Sequence, residues 1–156
     1  MKVSYDDADV KRVFRALPEA SLARLNQEIE GSAIDVQRSL RLEVNVGASG
    51  DLRRSIKYKM DRASFSAEIY ADSPYADDLE NGRGPRFVSV KVGSPLRKWA
   101  DFKHINPWMV QASIKKKGTK AHPFVRPVFE RAKVTVPRDI ASGFGKFIRE
   151  VNSGRI

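Results

Sequence analysis

Residues 56–71 read IKYKMDRASFSAEIYA, and this stretch decides the fold. Ile56, Tyr58 and Met60 alternate with Lys57 and Lys59, while Phe65, Ala67, Ile69 and Ala71 alternate with Ser66, Glu68 and Tyr70. A period of two sends successive side chains to opposite faces of a strand, so each run carries one apolar face. Asp61-Arg62-Ala63-Ser64 joins the runs, which predicts an antiparallel hairpin with one face on a core.

Upstream of the hairpin the spacing is helical. Leu22, Leu25, Ile29, Ala33, Val36, Leu40 and Val44 recur every three or four residues, the mark of a long amphipathic helix. Gly31 inside it marks a bend or a close contact, and Gly47 to Gly50 ends it. Before it, Ser4 or Asp6 caps a shorter helix along Val10, Val13, Phe14 and Leu17, which Pro18 interrupts.

Downstream, Pro74 to Asn81 reads as a short helix stopped by Gly82, Arg83 to Arg86 as a loop, and Phe87 to Val92 as a short strand. Ser94-Pro95 and Asn106-Pro107 are cap-plus-proline helix starts. They open a helical hairpin that buries Leu96, Trp99, Trp108, Val110 and Ile114 and ends in Lys115-Lys116-Lys117-Gly118. The prolines of residues 119–127 delay the next helix until Pro127, Pro137 breaks or kinks it, and Ile140, Phe144, Phe147, Ile148 and Val151 outline a terminal amphipathic helix. The class is therefore α+β: a long N-terminal helix, a small antiparallel sheet, an inserted helical hairpin and C-terminal helices. The 156 residues suit a single domain, with 1–82 and 118–156 as its core and 83–117 as an insertion.

Charge is segregated along the chain. Of the formal net charge of +10, residues 82–133 hold thirteen Lys or Arg against only Asp101 and Glu130. Such asymmetry points to a polyanionic neighbour, either nucleic acid or an acidic protein surface; the alternative is a solvated basic face. Within it, Arg83, Arg86, Lys115, Lys116, Lys117 and Lys120 are the candidates for contact with DNA or an acidic partner. Phosphate contacts by such residues carry affinity without sequence preference.

No chemistry-bearing constellation emerges. His104 and His122 lie far apart with no Cys or acid at metal-ligand spacing, and cysteine is absent altogether. Asp77 and Glu80 share a helix face but lack further ligands, and neither Ser49 nor Ser55 sits in a nucleophile elbow. The expectation is a protein without enzymatic activity, metal or cofactor. Met1 to Val13 lacks the apolar stretch of a signal peptide, and no apolar run approaches the roughly 18 residues of a membrane span, so no membrane partner is expected.

Three stretches in this order resemble the HK97 gp10-like family of tailed-phage head–tail connector proteins. Gly50-Asp51-Leu52-Arg53-Arg54-Ser55-Ile56 is similar to its "TGxLRxSI" entry into the hairpin. Tyr75 to Gly82 is similar to its "YAxxvExG" segment, and Lys117 to Pro127 to its "GTxAxPFLRPA" segment. The chain has Ser49, Asn81 and Val128 where the family pattern has Thr, an aromatic or small residue, and Ala. The resemblance implies a structural neck or tail-completion protein of the virion. It would assemble in the host cytoplasm as a ring of six or twelve copies around the DNA path, against neighbouring connector and tail proteins. A tail terminator capping the tail tube is the nearest rival, and a free non-specific DNA-binding protein the rival from another class. Phe124, Arg126 and Pro127 are expected to shape an assembly contact, with the core as the alternative place for Phe124.

Overall fold

The computed structural model describes residues 19–44 and 50–154. The short helix expected along Val10 to Leu17, Pro18 and the stop at Gly47 lie outside the described residues. The described elements run α1 (Glu19–Glu43), α2 (Asp51–Ser55), β1 (Ile56–Asp61), β2 (Ser66–Ala71), α3 (Ala76–Asn81), α4 (Pro95–Phe102), α5 (Pro107–Lys117) and α6 (Val125–Asn152). Six helices with one two-stranded antiparallel sheet, β1 beside β2, make the α+β class expected from the sequence. None of the described helices is long and apolar enough to cross a membrane.

The chain forms two compact units, one of Met1–Ser39, Lys57–Tyr70 and Val128–Ile156, the other of Leu40–Ile56 and Ala71–Pro127. In the first, the apolar stripe of α1 buries Leu25 and Ala33, and α6 contributes Val128. The hairpin docks on α1 through polar contacts: Tyr58 Oη donates to Glu30 Oε1 at 3.3 Å, Arg62 Nη2 meets Glu30 Oε2 at 3.3 Å, and Asn26 Nδ2 donates to Arg62 O at 3.3 Å. Asp61 closes the turn by accepting from the N–H groups of Ala63 at 3.0 Å and Ser64 at 3.3 Å, the side-chain turn that aspartate makes readily. Gly31 has open space where a Cβ would stand, so it marks no close contact.

Along α6 the expected start at Pro127 and the expected break at Pro137 are not observed. The helix begins at Val125, ahead of Pro127, and runs unbroken through Pro137 to Asn152. A proline in a first turn lacks only an N–H that has no intrahelical partner anyway, so Pro127 is tolerated inside the helix. Pro137 removes one interior bond of a 28-residue helix and stands on an exposed face, where its ring meets solvent.

In the second unit Leu40, Val44 and Ile56 are buried, and Arg41 Nη2 donates to Ile56 O at 2.8 Å. A separate apolar cluster joins Val90, Leu96 and Ile114, with Val88, Trp99 and Val110 packed against it. The two cap-plus-proline starts form as expected. Ser94 Oγ accepts from Arg97 N at 3.3 Å, and Asn106 Oδ1 accepts from Trp108 N at 3.0 Å.

Residues 87–92 do not form the expected strand. Their alternation is real, since Val88 and Val90 turn inward while Phe87, Ser89 and Lys91 are exposed. Their neighbour is a helix and not a strand: Gln111 Nε2 donates to Val88 O at 2.6 Å, and Arg86 N to Ile114 O at 3.4 Å. Trp108 is likewise not core, being 60% exposed. The buried stripe of α5 is Pro107, Val110, Gln111 and Ile114, spaced i, i+3, i+4, i+7, which turns position 108 outward.

Candidate functional site

The site is built where two distant segments of the second unit close on each other. Arg83 and Thr119 form an antiparallel bridge, Arg83 N donating to Thr119 O at 3.1 Å and Thr119 N to Arg83 O at 2.7 Å. Just before it, His122 N donates to Leu79 O at 2.7 Å. Glycine is required on both sides of this clasp. Gly82 and Gly118 take φ of 69° and 73°, a region L side chains rarely adopt. A Cβ at Gly82 would stand 2.8 Å from Ala121 N and Thr119 O, and one at Gly118 would run into Arg83 O.

Glu80 locks the clasp. Its carboxylate is buried and accepts three backbone N–H bonds at the start of α6. Oε2 accepts from Phe124 N and Val125 N, both at 2.8 Å, and Oε1 from Arg126 N at 3.1 Å. The first turn of a helix presents N–H groups with no intrahelical partner and a partial positive charge, so a carboxylate is the complementary cap. The segment His122-Pro123-Phe124 has no Ser, Thr, Asp or Asn to cap α6 locally. That absence is the signal in the sequence for a cap from elsewhere, a role for Glu80 that neither its metal-ligand pairing with Asp77 nor its place in the family-like segment announces.

The acids of α3 thus diverge into separate tasks. Glu80 caps α6, Asp77 Oδ1 accepts from Asn81 Nδ2 at 2.8 Å, and Asp78 lies between two arginines. Arg83 Nη1 sits 3.2 Å from Asp78 Oδ1 and Arg86 Nη2 2.8 Å from Oδ2, while Arg86 Nη1 also donates to Thr119 Oγ1 at 3.3 Å. Among the described residues no three His, Cys, Asp or Glu side chains gather to hold a metal.

The six basic candidates are therefore brought to one neighbourhood but divide in character. Arg83 and Arg86 share the Asp78 carboxylate, and the half-buried Arg86 fastens the clasp from within. Lys115, Lys116 and Lys117 occupy the last turn of α5, where cations complement the negative helix end. With Lys120 they are exposed, and no carboxylate among the described residues pairs with them. They form a lysine cluster fanned around the end of α5, which Gly118 N closes by donating to Ile114 O at 2.9 Å.

The expected assembly residues separate too. Phe124 is 2% exposed, a core side chain and not a surface contact, because Glu80 draws its backbone inward. Arg126 is exposed and Pro127 half-buried. In the first unit, a cleft of about 90 Å³ lined in part by Asp35, Arg131 and Asp139 is well below the few hundred Å³ typical of small-molecule sites. No family model, curated protein or solved structure matches the chain.

Proposed function

We propose that this chain is a structural subunit of the neck of a tailed bacteriophage, a ring-forming head–tail joining or tail-completion protein of the HK97 gp10-like kind. The observation that carries the proposal is the clasp. Two of the three family-like segments, Tyr75–Gly82 and Lys117–Pro127, lie 35 residues apart in sequence between Gly82 and Lys117 yet bind each other: Glu80 accepts from Phe124, Val125 and Arg126, Leu79 accepts from His122, and Gly82 lies against Thr119 and Ala121. Residues that the resemblance selects are those that hold this unit together, which supports a common architecture over chance similarity of short motifs.

The lysine cluster supplies the functional element. A ring turns a patch repeated on every copy toward its axis, where four lysines per subunit, with no carboxylate partner among the described residues, meet the phosphates of passing DNA. Non-specific backbone contact suits a channel through which any sequence moves. Multiplication around the ring makes the assembled contact strong while each subunit alone binds weakly.

The test is a phage carrying a stop codon early in this reading frame. DNA-filled heads and separate tails that fail to join, with joining restored by the chain supplied in trans, are expected. Intact infectious particles made without it would refute the assignment.

A further inference from the structure

The tip of the α4–α5 hairpin leaves Phe102, Ile105, Trp108 and Met109 exposed, the last by 70%. All four fall where α4 ends and α5 begins, so they share one end of the hairpin. The turn is fixed by its backbone: His104 N donates to Asp101 O at 3.1 Å and Ile105 N to Ala100 O at 2.9 Å, with His104 in the left-handed region at φ 55°. This is the bonding of a helix-terminating Schellman turn, and a pre-ordered tip loses little freedom on docking. Lys98 and Lys103 are exposed beside it, with Lys103 Nζ 5.6 Å from the Phe102 ring. The one acid on the hairpin, Asp101, is held by Arg97 Nε at 3.0 Å.

We propose that this tip is a docking knob for an acidic protein partner, whose apolar groove receives Phe102, Ile105, Trp108 and Met109 and whose rim carboxylates face Lys98 and Lys103. A mixture of Trp, Phe, Met and Ile is the composition of a protein interface centre. Bases stack on aromatic faces, and Ile105 and Met109 offer none. A second copy is a poor occupant: the unit bearing the tip holds fourteen Lys or Arg against seven Asp or Glu, so it would set like charge against like. A lipid surface calls for an amphipathic helix lying along it, whereas this patch is confined to a turn with a polar Asn106 and the charged Asp101.

The inference rests on the hairpin alone and is independent of the lysine cluster and of the neck assignment. Its test replaces Trp108 with p-benzoylphenylalanine in the full chain, irradiates the cells in which the chain works, and sequences the cross-linked peptides. The expected product is one peptide of another protein, apolar and flanked by Asp or Glu. The cross-link yield should fall at least tenfold in a Lys98→Glu, Lys103→Glu background and persist with Lys98→Arg, Lys103→Arg. Circular dichroism matched to the parent shows that the charge-reversed chain is folded. Cross-links to the chain's own peptides, to lipid or to nucleic acid, no cross-link at all, or a yield indifferent to charge reversal would overturn it.

Discussion

At the residue scale, Glu80 has the largest consequence for its size. A buried carboxylate accepting three N–H bonds is favourable only because the helix terminus supplies all three donors. Glu80→Gln keeps the shape but turns an amide NH2 toward N–H groups that need an acceptor. The expected loss is about 1–3 kcal/mol of unfolding free energy, read from the urea midpoint at unchanged slope. An unaltered midpoint would mean that the cap contributes nothing. Asp61 offers a pH-dependent counterpart. The Ser64 side chain, then the backbone N–H groups of Ser64 and Ala63, hold its carboxyl below the usual aspartate range. A depressed folded-state pKa gives stability that is present above the unfolded value and lost as pH falls through the folded one. Its carboxyl resonance followed by NMR should titrate below that of a free aspartate, and Ser64→Ala should move it upward.

At the element scale, the sequence exposed the periodic segments and concealed the contacts that override periodicity. The alternation of 56–71 and the three-and-four spacing of α1 were legible because apolar residues recur at the element's own period, even though Glu68 on the polar face of β2 is half-buried and α1 is shared between the two units. Residues 87–92 show the limit: an extended segment alternates whether its neighbour is a strand or a helix, so Val88 and Val90 announced burial but not pairing. Trp108 is hydrophobic but out of phase with the inward stripe of α5, which takes Pro107 and Gln111 instead. The start of α6 was hidden because its cap lies 44 residues upstream of Phe124. Of the candidate site, the basic cluster was legible as charge, while its division between Asp78-bound arginines and lysines without a carboxylate partner among the described residues depends on contacts that only the fold creates. Pro137 carries a prediction at this scale. An exposed interior proline costs a helix about 3 kcal/mol relative to alanine, part of which its stiffening of the unfolded chain returns. Pro137→Ala should therefore raise stability by about 1–3 kcal/mol in chemical denaturation. A lower midpoint would show that the proline fits a bend the helix needs.

At the scale of the whole molecule, charge is segregated. The lysine cluster and the hairpin tip belong to one strongly basic unit; among the described residues no carboxylate pairs with the lysine cluster, and the tip's Asp101 is paired with Arg97. Their roles separate under salt. Each phosphate contact contributes about 0.9 to the slope of log K against log salt on duplex DNA. Replacing Lys115, Lys116, Lys117 and Lys120 with Gln should flatten that slope in fluorescence anisotropy on the assembled ring by about 3–4 for each subunit in contact with the duplex. Lys98→Gln with Lys103→Gln should leave it unchanged. Equal slopes for the parent and the four-lysine variant would remove DNA from the assignment and leave an acidic protein as the cluster's partner.

The central claim, a subunit of the head–tail junction, is tested most directly by electron microscopy of purified virions labelled with antibody against this chain. Gold confined to the junction between head and tail is the predicted result. Particles that carry no label, or carry it only on the capsid shell or along the tail tube, would contradict it.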